Sequence, residues 1–518
     1  MFICLRKCIA SISAKFPKLE PKKIIRFFEI LPGAFSWLTL LTLFIMAVFL
    51  PKALAVFMIF YIVLWLIRIF FMSWRLILGY FYHTKEMATN WRDELEKLAP
   101  KNSWRKIYHI VLVPTYKENI DIIRSSINSV YTSDYPKDRI IYVLATEERD
   151  KENARQYAEI LKKESVGKFI DFIVTEHPDN LPDEIKGKGP NITYAMEKIL
   201  PVIDKMKIPY KDIIVTNMDT DNIMDRKYLS CLTYKYLTTP DPMHKSFQPL
   251  PMYFNNIWDV PMPMRLIGMG SSFWQMIVSA RTSRLRNFSS HAQSLDALVV
   301  THFWAKDTIV EDGHQFWRSY FVFHGNHYAV PIFVPIYQDA ILGSTMFLTI
   351  KEQYLQKKRW SWGVSDIPYV FYHSLKDKKI HWFDRLANSL ILFESHWSWS
   401  TGSLILALFS WIPIVVNPEF GNSVLAFNFR HIYSTIALIA YVGMIVTLTI
   451  STLLVWPRRK SRKTNWRIVF DWILTPIMLP ITNIFFSSIP AFDSQTRLML
   501  GIKPKVFRVT IKVRKNEA

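Results

Sequence analysis

The chain has 518 residues, 50% of them hydrophobic, and a formal net charge of +21. This composition excludes a disordered chain, and three cysteines are too few for a disulfide framework. The positive charge is concentrated in residues 1–30, 457–467 and 497–518, and each of these segments borders a long apolar stretch. Such a distribution is typical of membrane proteins with basic residues on the cytoplasmic side, so nucleic acid is not expected as a partner.

The N-terminal part predicts a basic amphipathic segment followed by a pair of membrane helices. The basic segment covers residues 1–32. Residues 33–50 and 53–74 are apolar, and each stretch is close to the length of about 20 residues that crosses the hydrocarbon core of a bilayer. Because the break between them is only two residues long, residues 33–82 are expected to form a transmembrane helical hairpin.

Residues 83–340 have the pattern of a cytoplasmic α/β domain. Apolar runs of strand length alternate with segments of helical spacing. This alternation predicts a parallel, Rossmann-like sheet with helices on both faces, and ligands of such sheets bind at the carboxyl ends of the strands. The predicted strands cover residues 107–115, 139–146, 168–176 and 212–219, and the predicted helices cover 119–132, 151–165 and 190–200.

Three of these strands end in sequences that carry carboxylates. Glu118 follows Thr115 at the end of the first strand, Glu147 ends the second, and Asp219 ends the fourth. Asp219 and Asp221 offer two hard oxygen ligands, which suit Mg²⁺ or Mn²⁺ bound to a diphosphate. The alternative for this Asp-Thr-Asp sequence is a side-chain-bonded turn at the end of a strand.

A second acidic pair, Glu311 and Asp312, follows an apolar stretch and opens an aromatic helix. A carboxylate near the cleft can act as a general base, which is the role expected of Asp312. The competing interpretation is that Asp312 caps the N-terminus of the helix.

Two further segments near these strand ends have a structural and a functional interpretation. Lys186 and Lys188 are more simply interpreted as a solvated loop than as phosphate ligands. The aromatic run over residues 302–304 either lines an acceptor site or belongs to the core.

Residues 341–385 are expected to form helices at the membrane surface. Gln356, Arg359 and Trp360 lie at positions i, i+3 and i+4, so a helix presents them on one face. The arginine fork suits a diphosphate, and the tryptophan ring suits stacking on a base or a sugar. The alternatives are an arginine that extends to the membrane surface and a tryptophan of the interfacial belt.

Residues 386–490 are expected to form a C-terminal transmembrane region. Residues 386–416 and 431–456 predict two spans, and the basic sequence after the second predicts a cytoplasmic loop. Residues 468–490 are apolar but contain Asp and three Pro, which favours a re-entrant or broken segment that returns to the cytoplasmic face. The basic tail, residues 491–518, is then cytoplasmic.

The order of these motifs resembles the family 2 glycosyltransferases of the cellulose-synthase and hyaluronan-synthase type, which combine a cytoplasmic GT-A domain with membrane helices. The tail fits the FxVTxK gating loop of cellulose synthases, with Thr510 and Lys512 at its Thr and Lys positions. The matching sequences are VLVPTYKEN (111–119), NMDTDN (217–222), VEDGHQFWR (310–318), QKKRW (356–360) and FRVTIK (507–512).

The resemblance implies an α/β GT-A domain, joined to α-helical transmembrane segments, that acts as an inverting and processive hexosyltransferase. It would make a β-linked polysaccharide from a nucleotide sugar, a UDP-sugar before a GDP-sugar. Asp219 and Asp221 would hold Mg²⁺ or Mn²⁺, and Asp312 would be the general base, with Glu311 beside it. The implied substrate-binding residues are Thr115, Glu118, Glu147, Asp219, Gln356, Arg359, Trp360, Thr510 and Lys512.

Two alternative functions stay open. One is a non-processive transferase that adds a sugar to a membrane-lipid acceptor, and the other is a catalytically inactive membrane scaffold or channel. The transferase interpretations expect a cytoplasmic-membrane protein whose catalytic domain and both termini are cytoplasmic. Its partners would be a growing glycan or a lipid acceptor, together with membrane lipids.

Overall fold

The computed structural model describes residues 20–98, 103–455, 463–504 and 506. The chain divides into a helical unit and a sheet unit. As far as their residues are described, the helical unit comprises Met1–Leu64, Tyr354–Ile436 and Pro480–Pro504, and the sheet unit comprises Trp65–Gln353, Ala437–Leu479 and Lys505–Ala518.

Strands and α-helices alternate through the middle of the described chain, and long helices lie toward both of its ends. The strands are β1 (Tyr108–Pro114), β2 (Ile140–Glu147), β3 (Asp171–His177), β4 (Ile213–Asn217), β5 (Ile223–Met224), β6 (Ser246–Met252), β7 (His291–Ser294) and β8 (Ala329–Tyr337). The helices are α1 (Pro21–Phe49), α2 (Pro51–Ala88), α3 (Trp91–Leu98), α4 (Ile120–Tyr131), α5 (Lys151–Glu164), α6 (Lys188–Met206), α7 (Tyr228–Thr238), α8 (Met262–Ser279), α9 (Leu295–Val300), α10 (Glu311–Val322), α11 (Met346–Ser361), α12 (Asp366–Lys376), α13 (Trp382–Leu408), α14 (Ile412–Val416), α15 (Pro418–Gly421), α16 (Val424–Val455), α17 (Lys463–Asn483) and α18 (Ile489–Leu500).

The strands form one sheet in the order β3-β2-β1-β4-β7-β6-β8-β5. The neighbours among the first four strands of this order, β3, β2, β1 and β4, are parallel, which is the arrangement of one half of a doubly wound sheet. Beyond β4 the sheet contains antiparallel pairs. The strand β7 is antiparallel to both of its neighbours, β4 and β6, and the edge strand β5 is antiparallel to β8. The predicted fold class, a Rossmann-like α/β domain combined with apolar helices, is confirmed. The four strands that the sequence predicts, β1 to β4, are parallel as expected, and β6 and β8 are a further parallel pair.

The parallel strands are buried on both faces, which explains their continuous apolar sequences. Successive side chains of a strand point to opposite faces. In β1, Ile110 and Leu112 pack in the core that contains α6 and α9, whereas Val111 and Val113 pack in the core that contains α4 and α7. Helices therefore cover both faces, and the carboxyl ends of β1, β2 and β4 share one edge.

Within the described residues, four helical segments are long and apolar enough to cross a membrane, which indicates membrane association. The two helices of the predicted hairpin correspond to α1 and α2, which Leu50 alone separates, and their crossing of the membrane as a hairpin stays a prediction. The helix α1 already begins at Pro21, so the boundary expected at residue 32 lies inside a helix. The four segments are Pro21–Phe49, Pro51–Ala88, Val424–Val455 and Asn465–Leu500.

The span predicted over residues 386–416 corresponds to α13, which ends at Leu408. It is not one of the four apolar segments of the described chain. Its middle contains Glu394, His396 and several serines, which lower its hydropathy.

The break predicted within residues 468–490 is absent. The helix α17 continues through Pro476 and Pro480, and a π-helical segment, Ile484–Ser488, links it to α18. The helix is therefore not interrupted at these prolines, which local changes in helix type such as a π-helical turn can accommodate; the return of this segment to the cytoplasmic face stays a prediction.

In the helical unit, α1, α13 and α18 meet at a buried group of polar side chains. Ser36 Oγ and Ser400 Oγ donate to Gln495 Oε1 at 2.7 and 3.1 Å. All three side chains are at most 1% exposed. At the end of α18, the Leu498 carbonyl accepts a hydrogen bond from Arg26 Nη1 at 3.0 Å. The C-terminal end of α18 therefore lies beside the first turns of α1.

Candidate active site

The candidate active site begins at the edge where β1, β2 and β4 end. The N–H of Thr115 donates to the Ala145 carbonyl at 2.8 Å, which extends the β1–β2 ladder and leaves Thr115 buried. The Thr220 hydroxyl donates to the Pro114 carbonyl, so the loop after β4 is tied to the end of β1. The predicted meeting of these strand ends is confirmed.

The end of β2 carries a buried acid paired with an arginine. The carboxylate of Glu147 is bound by the Arg149 guanidinium, which also lies 4.3 Å from the centre of the Tyr116 ring. Burial raises the pKa of Glu147, and the positive charge of Arg149 opposes this shift. Glu118 is partly exposed in the same loop as Tyr116. A carboxylate, a planar cation and an aromatic ring at one place suit the recognition of a nucleobase.

Lys188, the first residue of α6, brings a buried positive charge to this edge. Its side chain is 8% exposed, and its Nζ lies 2.5 Å from Asp219 Oδ1 and 3.6 Å from Glu311 Oε1. It also donates to the Ser289 carbonyl at 3.0 Å. Burial lowers the pKa of Lys188, but the nearby carboxylates outweigh burial and raise it. The interpretation of Lys188 as part of a solvated loop is therefore wrong.

Two helices begin at this place, α6 with Lys188 and α10 with Glu311. Gly189 permits their close approach, because a Cβ at this position would lie 2.4 Å from the Ala305 carbonyl oxygen and 3.2 Å from Glu311 Cβ. The unpaired N–H groups at a helix N-terminus favour negative charge. Two such ends side by side suit a bound diphosphate.

Glu311 and Asp312 occupy the first turn of α10, and Val310 is the N-cap residue. The interpretation of Asp312 as the N-cap is therefore wrong. Its Oδ1 accepts a hydrogen bond from the Gly313 N–H at 2.7 Å. Glu311 is 3% exposed, and burial raises its pKa to about 7 against the opposing charge of Lys188. A buried acid that titrates near neutral pH beside a more exposed carboxylate suits proton transfer.

The aromatic run before α10 belongs to the core. Phe303 and Trp304 are buried against α6, and Trp304 Nε1 donates to His291 Nε2 at 3.1 Å. His302 and Phe303 have φ values of 54° and 56°, in the left-handed region that non-glycine residues rarely adopt. For Phe303 and Trp304 the core interpretation applies.

The predicted metal ligands fit a divalent cation only together with oxygen atoms from a substrate or water. In the described part of the chain, no group of three or more His, Cys, Asp or Glu side chains could hold a metal ion. The side chain of Asp219 is 34% exposed and already binds a positive group, the Lys188 ammonium. The Asp221 carbonyl accepts a hydrogen bond from Asn255 Nδ2 at 3.3 Å. Hard carboxylate oxygens completed by a diphosphate suit Mg²⁺ or Mn²⁺.

Gln356, Arg359 and Trp360 lie on one helix, α11, as expected from their spacing. Gln356 is 5% exposed, and Lys357 Nζ lies 4.3 Å from the centre of the Trp360 ring. These three residues belong to the helical unit, whereas Asp219 and the acids of α10 belong to the sheet unit. Their contacts with a substrate stay a prediction.

Thr510 and Lys512 lie outside the described residues. The last residue that the structure describes, Val506, forms a parallel β-bridge with Lys186. Since Lys186 precedes Lys188 by two residues, the chain that leads to the predicted gating motif passes the start of α6.

Sequence reasoning missed Arg149 and discounted Lys188. For Lys188 the signal was present, because Gly187-Lys188-Gly189-Pro190 places a lysine between glycines at the start of a helix. For Arg149 no local signal existed, since its position over Tyr116 depends on how the ends of β1 and β2 are arranged.

No protein-family model matches the chain, and no curated protein matches it. Among solved structures, the mannosyltransferase PcManGT from Pyrobaculum calidifontis, in complex with GDP-Man and Mn²⁺, is 14% identical with a TM-score of 0.40, over 76% of this chain and 99% of that one. TarS 1–349 of S. aureus, in complex with UDP-GlcNAc, is 14% identical with a TM-score of 0.37, over 67% of this chain and 91% of that one. These similarities are too weak to carry a functional argument, which has to come from the site itself.

Proposed function

We propose that the chain is a membrane-bound glycosyltransferase that transfers a hexosyl group from a nucleotide sugar. The observation that carries this proposal is the buried ammonium of Lys188, held by Asp219 and Glu311 where β4 ends and two helices begin. Positive charge fixed beside two helix N-termini is suited to a leaving diphosphate. The neighbouring carboxylate of Asp312 is suited to receive the proton of an acceptor hydroxyl.

The proposed reaction is a single displacement. The acceptor oxygen attacks the anomeric carbon on the face opposite the diphosphate, and its proton passes to Asp312. The bond from the anomeric carbon to the diphosphate oxygen breaks, and its electron pair leaves with the diphosphate beside Lys188. The configuration inverts, so an α-linked donor gives a β-linked product. Glu311 lies next to Asp312 in the chain and contacts Lys188, so in this proposal it orients the base and the ammonium group relative to each other.

The donor would be bound mainly by residues at the strand ends. Asp219 and Asp221 would hold Mg²⁺ or Mn²⁺, which when bound supplies positive charge to the diphosphate. Thr115, Glu118 and Glu147 would contact the base and the ribose of a UDP-sugar or, as a second choice, a GDP-sugar. The resemblance adds Arg359 for the diphosphate, Trp360 for the donor or acceptor sugar, Gln356 as a further substrate-binding residue, and Thr510 with Lys512 for closure over the donor.

We infer that the sheet unit and both termini are cytoplasmic. Two crossings by α1 and α2 return the chain to the side on which it began. Basic residues beside the apolar helices favour the cytoplasm for that side. The contact of the Leu498 carbonyl with Arg26 supports the same side for the tail.

The processive synthesis of a polysaccharide is the leading form of this proposal. A second form, the transfer of a single sugar to a membrane lipid, is favoured by the interior of the helical unit. There Ser36, Ser400 and Gln495 bind one another and are at most 1% exposed, so their polar groups are not available to a polymer.

The test is the incubation of purified protein with radiolabelled UDP- and GDP-sugars, with Mn²⁺ or with a chelator. We expect one donor to be consumed only with the metal, and linkage analysis to find a β-linked product. Polymers of graded length support processive synthesis, and a single sugar in the lipid extract supports the second form. If no donor is consumed, the proposal fails and the inactive scaffold or channel is supported instead.

A further inference from the structure

A group of arginines lies outside the candidate active site, at the end of α8. Arg281 and Arg284 follow this helix, and no acidic residue occurs between Asp259 and Asp296. Arg265 and Arg286 belong to the same stretch of sequence. Arg265 forms a two-fold ion pair with Asp471, and Arg286 lies over the rings of Phe316 and Trp317.

Packing of α2 against α8 brings a third arginine to the same place. The helices touch at Gly79, where a Cβ would lie 2.4 Å from Met276 Cγ and 2.9 Å from the Met276 carbonyl oxygen. Arg75 lies one turn before Gly79 on α2, and Arg281 lies just after the end of α8. Burial lowers the pKa of Arg281, and the positive charges of Arg284 and Arg75 lower it further. Three like charges are thus close together.

The position of this group along α2 indicates what kind of anion it would meet. Arg75 directly follows the apolar run of a helix that is long enough to cross a membrane. Aromatic side chains beside the group are exposed: Trp74 by 59%, Phe71 by 61% and Trp274 by 48%. Exposed tryptophan at the end of an apolar helix is typical of the level of the lipid head groups.

We propose that Arg75, Arg281 and Arg284 form a binding site for the phosphate of an anionic membrane lipid, in the leaflet that adjoins the sheet unit. Guanidinium groups bind phosphate oxygens through paired hydrogen bonds. Basic pockets between membrane helices bind anionic head groups, and the exposed aromatic rings would flank the acyl chains. This site is separate from the glycosyl-transfer site and does not depend on its function.

The competing explanation is structural. Positive charge is favourable at the C-terminal end of a helix, and Arg281 follows the last residue of α8 by two positions. Under that explanation the arginines stabilise α8 and have no preference among lipids, so a measurement of bound lipid separates the two roles.

The test uses the full chain in nanodiscs of phosphatidylcholine mixed with phosphatidylglycerol. After release into detergent, the retained lipids are counted by native mass spectrometry. The variant Arg281→Gln/Arg284→Gln is compared with Arg124→Gln/Arg155→Gln, which removes the same charge from two arginines paired with Glu164 and Glu176. We expect the wild type and the control variant to retain phosphatidylglycerol in preference to phosphatidylcholine. We expect about thirtyfold weaker retention in the first variant, since each basic residue near a charged leaflet contributes about fivefold.

Three results would overturn the proposal: unchanged retention in the first variant, an equal loss in the control, and displacement of the lipid by inorganic phosphate, which would show a site for a soluble anion. If the first variant does not fold, Arg75→Gln changes a different helix and is expected to weaken retention about fivefold. Unchanged retention there also overturns the proposal.

Discussion

Lys188 reaches the carboxylates of Asp219 and Glu311 with a side chain that is only 8% exposed. A buried charge without a partner costs several kcal/mol, so the three groups hold one another in place. In the proposed reaction this arrangement is useful because positive charge is already in position when the diphosphate leaves. The neighbouring Asp312 then has one remaining task, the uptake of a proton.

Replacing Asp312 by Asn removes the proposed base but no proposed donor ligand. We expect the turnover number to fall at least about 10²-fold, while the dissociation constant of the donor stays the same. Donor titration and an initial-rate assay separate the two quantities. Asp296→Asn is the matched control, because Asp296 also lies in the first turn of a short helix, α9, and should change no rate. Wild-type turnover in Asp312→Asn would contradict the role.

Glu311 is expected to make stability depend on pH. Its pKa in the folded chain is about 7, raised by burial above the ordinary value of 4.5. Its favourable contribution is therefore complete below pH 4.5 and is lost as the pH rises through about 7. We expect the unfolding temperature in detergent to fall more steeply from about pH 5 to pH 8 in the wild type than in Glu311→Gln. Parallel curves would show that Glu311 is ionised throughout this range.

At the scale of elements, β1 to β4 were predictable because each is a continuous apolar run that both faces of the sheet bury. The strands β6 and β8 were not, since each contains two prolines, which weaken a strand pattern. The four residues of β7, His-Ala-Gln-Ser, have no apolar period at all. These three are strands because their neighbours in the sheet pair with them.

The residues of the candidate active site also fall into those that the sequence predicts and those that it does not. The acids at the strand ends, such as Glu147 and Asp219, were predictable because the end of each strand is visible in the sequence as the end of an apolar run. The burial of Lys188 was not, because it depends on where α10 begins more than a hundred residues later. Local patterns predict which residues occur at an edge of the sheet, and packing decides which of them meet.

The contact between α8 and α17 depends on a buried ion pair. Arg265 donates from Nε and Nη2 to the two carboxylate oxygens of Asp471, at 2.9 and 2.6 Å, and the side chains are 6% and 17% exposed. Asp471→Ala leaves the arginine charge buried without its partner, and we expect a loss of about 3–5 kcal/mol of stability. The double variant Arg265→Met/Asp471→Leu should recover most of this loss, as measured by thermal unfolding in detergent. If Asp471→Ala is as stable as the double variant, the ion pair is solvated and the prediction fails.

At the scale of the whole chain, the side of the membrane on which the tail lies decides whether it can act on the donor. Within the helical unit, the end of α18 contacts the start of α1, through the Leu498 carbonyl and Arg26. Lys503, just beyond α18, lies 2.5 Å from Glu29 of α1. The opposite end of α1 is marked by Asn417, whose Nδ2 donates to the Val48 carbonyl at 3.0 Å. The described residues that directly follow α18, up to Pro504, therefore lie toward the N-terminal end of α1.

This geometry predicts that Asn516→Cys, in a chain whose native cysteines are replaced by Ser, reacts with a membrane-impermeant maleimide only in inside-out vesicles. Glu419→Cys is the matched control, since Glu419 is exposed close to Asn417 and should react only on intact cells. The basic composition of residues 497–518 favours the same outcome, because basic segments next to apolar helices stay cytoplasmic. Labelling of Asn516→Cys on intact cells would place the tail outside. Thr510 and Lys512 would then be unable to reach the donor, and closure over the site would have to come from another segment.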